Sequence, residues 1–496
     1  PSCPTGVSAL PTGLSSFLVT DPGVTTAGAN ADCGTVHPDY PAPAPAPAPS
    51  ANPHASLGGY TPVSNVVEHA QIVHDICDLN TAADSLNFVT AKAIYTGGRF
   101  SCKSSTTRRT LQDFVSASTV TSKLTGQAFF DSFTNGTGPS NPQGPIPGSG
   151  RLNLTTSFWD DFMIGAFDGT GDFAGKSNTM RKVAVKKGAL GVLTMYVARE
   201  LESAISKAAS GSTADSNGAP HAWDEGWAFF YGSHTSTAGK CSAWEFSRKR
   251  DLDYAYDSSN NAVSGATHAK TDLLAHFLEG QNASRTSTLS VAQLVTSRDN
   301  IYRLLALSSI RAGLKYSLKM QNPYNEEYHM ECYAYFLAAA GWIQQAAGSS
   351  GTNAQDVLDL VDFNLAEGAL NADVYCAVKA KLIPIYSALG LDCTMVGTYK
   401  AIGSKTCSGL PSCPTGVSAL PPALPTGLSS FLVTDPGVTT AGSNADCGTV
   451  HPDYPAPAPA PAPDSAPAAS SLSQVGAAPA VIVALIAYVA MRLGST

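Results

Sequence analysis

Between residues 60 and 407, hydrophobic positions recur at intervals of three and four, the spacing of one face of an α-helix. In segment 63–79 they fall at positions 66, 70, 73 and 77. Similar spacing predicts further helices at 183–209, 268–280, 291–320, 326–347 and 357–391, the last broken at Pro384. Sustained period-two alternation, which is typical of strands, does not occur. The pattern therefore predicts an all-α fold with a helical bundle core.

Two short segments that flank this core are copies of one another. Residues 1–10 recur unchanged at 411–420, and residues 11–36 recur at 425–450 with one change, Ala29 against Ser443. Each copy leads into an alternating Pro-Ala run, which is typical of an extended polyproline II spacer. Each also carries two cysteines, and a bridge within each copy is the economical pairing for so small a unit. The predicted bridges are Cys3–Cys33 and Cys413–Cys447.

These features divide the chain into six predicted parts. They are a first cysteine module (1–40), a Pro-Ala linker (41–59), the helical core (60–407), a second module (411–454), a Pro/Ala/Ser-rich linker (455–477) and a hydrophobic C-terminal segment (478–496). The apolar run in the last segment is shorter than the roughly 20 residues of a spanning helix. Small residues, a polar spacer and a hydrophobic end are typical of a GPI-attachment signal, with a retained membrane anchor as the alternative. Both interpretations place this end of the chain at a membrane.

Cysteine usage and sequons indicate an oxidising compartment outside the cytoplasm. The eleven cysteines include no Cys-x-x-Cys pair and are widely spaced, as in a disulfide-bonded secreted protein. Sequons at Asn135, Asn153 and Asn282 suit glycosylation there. Because the count is odd, at least one thiol is free or bridges to another chain, and Cys332 is the candidate. The net charge of −8 and scattered basic residues argue against binding to nucleic acid.

Two segments place carboxylates and histidines among aromatic residues: 221–231 (HAWDEGWAFFY) and 326–336 (EEYHMECYAYF). Buried charges need a partner or a metal ion, so metal binding is the hypothesis to test. In the first segment, His221 and Glu225 are four residues apart and share one helix face, where they can chelate an ion. A capping role for a carboxylate in the first turns is the structural alternative.

In the second segment two helical registers compete. Glu327 and Glu331 extend the apolar stripe of the helix. Glu326 and His329 instead form a Glu-x-x-His pair, the spacing with which di-iron carboxylate bundles bring both ligands to one ion. A solvated helix end, where acidic groups suit the helix dipole, is the alternative to both.

Other candidates are secondary. Asp224, Glu326 and Glu200 are reserve ligands, and Glu200 can instead pair with a basic residue of another helix. His69 points toward the core, where lone histidines are usually hydrogen-bonded structural residues. No Gly-x-Ser-x-Gly elbow, P-loop or His-Glu-x-x-His pair occurs, so we predict that the protein is not an enzyme.

Residues 223–232 (WDEGWAFFYG) and 327–336 (EYHMECYAYF) resemble the low-iron-inducible periplasmic, or iron-assimilation, proteins of green algae. The similarity covers about 63–393. It implies a secreted protein, induced by iron shortage or high carbon dioxide, that helps capture iron at the cell surface. The resemblance does not settle the ligands, so their assignment rests on spacing.

Carboxylates with one or two imidazoles suit iron among the first-row metals, and an oxygen-rich site favours the ferric ion. We expect Glu225, Glu327 and Glu331 to supply oxygen, with nitrogen from His221 or His329.

The predicted function is therefore that of a cell-surface protein that binds ferric or ferrous iron as cargo and assists its uptake. A GPI anchor and spacer would hold it within reach of a membrane iron transporter or reductase. The alternative is a structural glycoprotein of the cell wall or an extracellular fibre, because duplicated modules, Pro-Ala spacers and glycans are wall-protein features. An odd cysteine would then allow cross-linking to the wall or to neighbouring copies of the chain. A hydrolase on the same scaffold lacks an identified nucleophile or base.

Overall fold

The structure is a computed structural model of the 496-residue chain. It describes residues 56–104, 107–124, 128–132, 156–233, 238–321, 323–347, 354–370, 373–415 and 417. Within these residues the fold is all-α, as predicted, without a β-strand. Most of both modules, both linkers and the C-terminal segment lie outside the described residues, so the predicted division of the chain stays a prediction. The same holds for Cys3, Cys33, Cys447, Asn135 and Asn153.

Sixteen helices occur in the described residues. They are α1 (Val67–Ala70), α2 (Ile72–Asp84), α3 (Phe88–Gly97), α4 (Leu111–Val115), α5 (Ala117–Thr119), α6 (Ala128–Asp131), α7 (Phe158–Asp168), α8 (Asn178–Ala209), α9 (Ala219–Tyr231), α10 (Ala243–Tyr254), α11 (Ala269–Ala283), α12 (Val291–Lys319), α13 (Glu326–Ala347), α14 (Ala354–Leu360), α15 (Val374–Leu382) and α16 (Cys393–Val396). A π-helical turn (Val120–Leu124) and 3₁₀ turns (Gly171–Phe173, Ala238–Cys241, Glu367–Ala369, Ile383–Ile385) complete the set.

The 32-residue helix α8 is the central element of the bundle. Helices α7, α9 and α13 all pack against it, and α13 also packs along α12. Small residues allow this close approach: a Cβ atom at Gly191 would lie 2.3 Å from the Trp159 ring of α7. The side chain of Ser177 accepts a hydrogen bond from the Met180 N–H (3.1 Å), which satisfies a free donor of the first turn and fixes the start of α8.

Two of the predicted helices differ from the observed ones. Segment 63–79 forms two helices, α1 and α2, and α2 continues to Asp84. Segment 357–391 is not one helix with a single break, because α14 ends at Leu360 and α15 begins at Val374. The side chain of Asp373 accepts from the Cys376 N–H (3.2 Å), so a new helix starts there. The break at Pro384 is observed, since α15 ends at Leu382.

Three disulfides join described cysteines: Cys77–Cys241, Cys376–Cys407 and Cys393–Cys413. The last one corrects the predicted Cys413–Cys447 bridge. The segment after Cys407 returns to the first residue of α16, where the Cα atoms of Cys393 and Cys413 are 5.8 Å apart. The duplication of the module in the sequence therefore did not identify the disulfide partner of Cys413. Cys332 is free and buried, as predicted, and its thiol donates to the Gly313 carbonyl (3.4 Å).

Among the described residues, no helix combines the length and the apolar character needed to cross a membrane.

Candidate metal site

Helix α9 carries one half of the candidate site. Pro220 lies in its first turn, where a residue without an N–H is tolerated. Two buried indole N–H groups fix the helix in the core: Trp223 donates to the Phe277 carbonyl and Trp227 to the Leu57 carbonyl, both at 2.8 Å. The same turn of the helix brings His221 and Glu225 together, as their spacing predicted, with Nε2 and Oε1 3.2 Å apart.

The other half comes from α1. Helix α9 ends at Tyr231, and Gly232 follows with a φ of +76°, which suits glycine. The N–H of Ser233 then donates to the Ala70 carbonyl (3.0 Å). This contact places α1 beside α9. His69 of α1 then lies with Nε2 2.8 Å from Glu225 Oε1.

His69, His221 and Glu225 form a cluster in which one ligand atom from each lies within 4.8 Å of the others. No other group of three potential ligands of this kind occurs among the described residues. The three side chains are 12%, 20% and 16% exposed, so an ion from solution can reach them. The Nδ1 atoms of both imidazoles are buried and have no hydrogen-bond partner.

Glu200 of α8 lies close to Glu225 of the cluster. Its Oε2 atom is buried and has no hydrogen-bond partner, while its Oε1 atom is paired with Arg199. Burial, followed by the negative charge of Glu225, raises the pKa of Glu200 to about 8. Two carboxyl groups therefore lie close together at this site.

The protonation states of the cluster suit metal binding. Burial, opposed by the hydrogen bond to Glu225 and aided by the nearby Arg109 charge, lowers the pKa of His69 to about 4. His69 is therefore neutral at pH 7, which leaves a lone pair for a metal. Burial alone would raise the pKa of Glu225, but hydrogen bonds from His221 and His69 hold it below its usual range. Glu225 is therefore ionised.

A cavity of about 460 Å³ is lined by His69 and Glu225 of the cluster and by Glu200. We call it the basic cavity, because five basic side chains line it: Lys103, Arg109, Lys123, Arg199 and Lys207. Arg109 reaches the cluster directly, with one guanidinium nitrogen 2.8 Å from His69 Nε2. The Phe229 ring, packed at right angles on Tyr196, forms part of its wall.

The predicted carboxylates of α13 have other partners. Glu331 is buried, and its carboxylate lies 2.7 Å from the Lys187 amine of α8. Glu327 is 44% exposed and lies 3.9 Å from the Lys182 amine. A carboxylate buried among aromatic residues needs a compensating positive charge. For Glu331, a lysine of the same chain supplies this charge.

The Glu-x-x-His register is not assembled as a metal site either. The buried ring of His329 donates from Nε2 to the Val361 carbonyl and accepts at Nδ1 from the Tyr324 hydroxyl, both at 3.2 Å. Both ring nitrogens are therefore occupied. Glu326 lies in the first turn of α13, where a carboxylate suits the helix dipole.

The α13 carboxylates cannot share one ion with the α9 pair. Glu331 is paired with Lys187, whereas Glu225 approaches Glu200, and these two α8 positions are 13 residues apart. At 1.5 Å per residue, this is about 20 Å along the helix. The two segments that the sequence singled out thus contact α8 in different places.

The remaining predicted residues have structural surroundings. Asp224 is fully buried and accepts hydrogen bonds from the Tyr60 hydroxyl (2.6 Å), the Ser64 N–H (2.9 Å) and the Gln281 amide (2.9 Å), so it anchors the chain before α1. Asn282 is exposed at the end of α11, and its glycosylation stays a prediction.

Sequence reasoning placed His69 in the core as a structural residue and gave Arg109 no role. The periodicity of its helix locates the face of His69 but not its distant partner on α9. Arg109 belongs to a loop without periodicity, so no signal in the sequence would have found it.

Taken together, the fold and the cluster define a disulfide-bonded, all-helical protein with a candidate metal site of two histidines and one carboxylate. A family model, described as that of the low iron-inducible periplasmic protein, matches residues 42–413. The chain belongs to this family, as its sequence motifs predicted. The family is not a known enzyme family. No curated protein and no solved structure matches the chain.

Proposed function

We propose that this protein binds iron as cargo at His69, His221 and Glu225 and thereby assists iron assimilation. The observation that carries the proposal is the convergence of two imidazoles and a carboxylate from two helices within 4.8 Å. It revises the sequence-based ligand set, because it keeps His221 and Glu225, adds His69 and leaves out Glu326, Glu327, His329 and Glu331. The description of the family as low iron-inducible supports iron as the ion.

The donor set supports the same ion. Two histidines with one carboxylate are typical of non-haem iron(II) sites, and such sites keep open coordination positions for further ligands. Glu200 is placed to supply another oxygen once it loses its proton, so metal binding would release a proton from this pair. An additional carboxylate favours the ferric ion, so the site suits both oxidation states.

Calorimetric titration of the purified chain with ferrous iron under argon tests the proposal. We expect one ion per chain and, because Glu225 is the residue that both histidines contact, loss of the binding signal in Glu225→Ala. Binding should weaken as the pH falls, because protons compete for the ligands.

Glu327→Ala is the matched control, since it removes an exposed glutamate from the other acidic segment. Equal iron affinity of Glu225→Ala and the parent chain, with thermal melts that show both folded, would refute the proposed site.

We further propose that the protein acts outside the cytoplasm, attached by its C-terminal segment to the cell surface near an iron transporter or reductase. The periplasmic description of the family and the three disulfides support the compartment. Release of the native protein from membranes by a phospholipase that cleaves GPI anchors would support the attachment, and retention after the treatment would contradict it.

A structural glycoprotein of the wall remains the second candidate function, and the Pro-Ala spacers and duplicated modules favour it. It predicts no stoichiometric iron in the native protein. Metal analysis of protein purified from its natural source therefore separates the two functions.

A further inference from the structure

The basic cavity carries more positive charge than its own carboxylates balance. Its five basic side chains face three carboxyl groups, those of Asp113, Glu200 and Glu225. The cavity is therefore positive overall, although His69 and Glu225 of the candidate metal site line it.

The basic groups differ in how they are engaged. Arg199 is paired with Glu200, and Arg109 donates to the Ser101 hydroxyl (2.9 Å) as well as contacting His69. Lys103 and Lys207, by contrast, have no ion-pair partner among the described residues. Lys103 is exposed to solvent, and Lys207 is partly exposed. These two amines are available to a ligand.

The cations also act on one another. Burial lowers the pKa of Lys123, and the neighbouring charges of Arg199 and Lys103 lower it further. An anion in the cavity would relieve this repulsion, so the arrangement of charges favours a negatively charged ligand.

A bare metal cation is a poor electrostatic match for this cavity. Five positive side chains line it, and the Arg109 guanidinium lies at His69 Nε2, the nitrogen that faces Glu225. A metal complex with net negative charge is attracted by the same groups. Three protein donors also leave coordination positions that carboxylates of another molecule can fill.

The size and lining of the cavity indicate the kind of anion. A volume of about 460 Å³ is that of a small-molecule site and much larger than a single inorganic oxyanion needs. The basic groups come from three separate segments: the 101–109 loop, the turn after α5 and helix α8. Hydroxyls of Ser116, Ser118 and Ser203 add hydrogen-bond donors. Several carboxylates on one flexible carbon chain match this distribution.

We propose that the basic cavity binds a small organic polycarboxylate, and that iron reaches His69, His221 and Glu225 as the complex of such an anion. The polycarboxylate occupies the cavity, pairs with Lys103 and Lys207, and draws the Arg109 guanidinium away from His69. The proposal deepens the proposed function, because it names the form of iron that the site takes.

Citrate without metal is the first probe. Calorimetry of the full chain at low salt should detect citrate binding, and raising the ionic strength should weaken it. Lys103→Gln combined with Lys207→Gln should weaken citrate binding about tenfold or more, since it removes two charge-assisted contacts. Lys240→Gln combined with Lys249→Gln is the matched control, because it removes the same charge from two exposed lysines that do not line the cavity.

The second measurement compares ferric citrate with ferrous iron alone. The Lys103→Gln, Lys207→Gln variant should lose more affinity for the citrate complex than for the free ion. Thermal melts establish that the variants fold, and Lys207→Glu, which reverses one charge, should weaken citrate binding further than Lys207→Gln.

Two outcomes overturn the proposal: no citrate binding by the parent chain, or equal citrate affinity in the cavity variant and its control. Binding of bicarbonate or phosphate that citrate does not displace would also overturn it, since the cavity would then take an inorganic oxyanion. The proposed function fails separately, when citrate binds but ferrous iron and ferric citrate bind Glu225→Ala as tightly as the parent.

Discussion

Glu225 on α9 and Glu331 on α13 are both largely buried carboxylates next to α8, but their partners differ in kind. Glu331 lies 2.7 Å from the Lys187 amine, a fixed positive charge of the same chain. Glu225 lies between two imidazoles and close to a second carboxyl group, that of Glu200. Burial alone therefore does not identify a metal ligand. A candidate ligand is a buried carboxylate whose neighbours are themselves donors to a cation.

The histidines of the two regions offer the sharpest contrast. His69→Gln removes an imidazole from the cluster, and we expect iron affinity to fall about a thousandfold, or ~4 kcal/mol. His329→Gln should leave iron affinity unchanged, because both ring nitrogens of His329 are occupied. This substitution should instead lower the free energy of unfolding by about 1 kcal/mol. Calorimetric titration and urea unfolding measure the two effects, and a strong loss of iron binding in His329→Gln would reverse the comparison.

Removing the lysine of the α13 pair tests whether Glu331 is structural. Lys187→Met leaves a buried carboxylate without its cation, and we expect the free energy of unfolding to fall by about 3 kcal/mol. Urea denaturation at pH 7 checks this value. Lys187→Met combined with Glu331→Leu should recover much of the loss, since no charge then stays buried. Equal stability of Lys187→Met and the parent would show that Glu331 has another compensating partner.

The pH dependence of stability should reveal Glu200. Its pKa of about 8 in the folded chain lies above the ordinary glutamate value, so the folded state holds a proton that the unfolded state has lost. This group's contribution therefore declines as the pH rises from about 4.5 to about 8. Without metal, Glu200→Gln should gain stability relative to the parent by on the order of 4 kcal/mol between pH 5 and pH 9. A constant difference across this range would mean that Glu200 is ionised throughout.

The smallest effect is expected at the exposed end of α13. Glu327→Gln removes a 44% exposed carboxylate that is 3.9 Å from Lys182, so the free energy of unfolding should change by less than about 0.5 kcal/mol. Iron affinity should also stay the same. A measurable drop in iron binding would bring α13 back into the site.

Local regularity explains what the sequence predicted and what it did not. The contact between His221 and Glu225 follows from helical spacing alone, so their separation of four positions in the sequence was enough to predict it. His69 meets Glu225 only because the Ser233 N–H is bonded to the Ala70 carbonyl, a tertiary contact that no periodicity reports. The same periodicity placed Glu331 on the buried face correctly but could not tell a lysine from a metal ion as its partner.

The helices, too, were predicted well where the local pattern is regular and poorly where it is not. The long amphipathic helices α12 and α13 were predicted almost to the residue, because many turns repeat one pattern. The short helices α14 and α15 were predicted as one helix, because the periodicity does not report that the Asp373 side chain caps the start of a new helix. Disulfide pairing is harder to predict from the sequence than helices are, because it depends on which distant segments meet in the fold.

The Cys393–Cys413 bridge has a mechanical consequence. It closes a covalent ring around residues 393–413, so the backbone from 394 to 412 is no longer the sole link between α16 and the chain that follows. Tension applied from the C-terminal side of residue 413 reaches Cys393 directly through the sulfur atoms. If the chain is tethered by that end, a pulling force would act on the start of α16, and the turns between residues 397 and 410 would carry little of it.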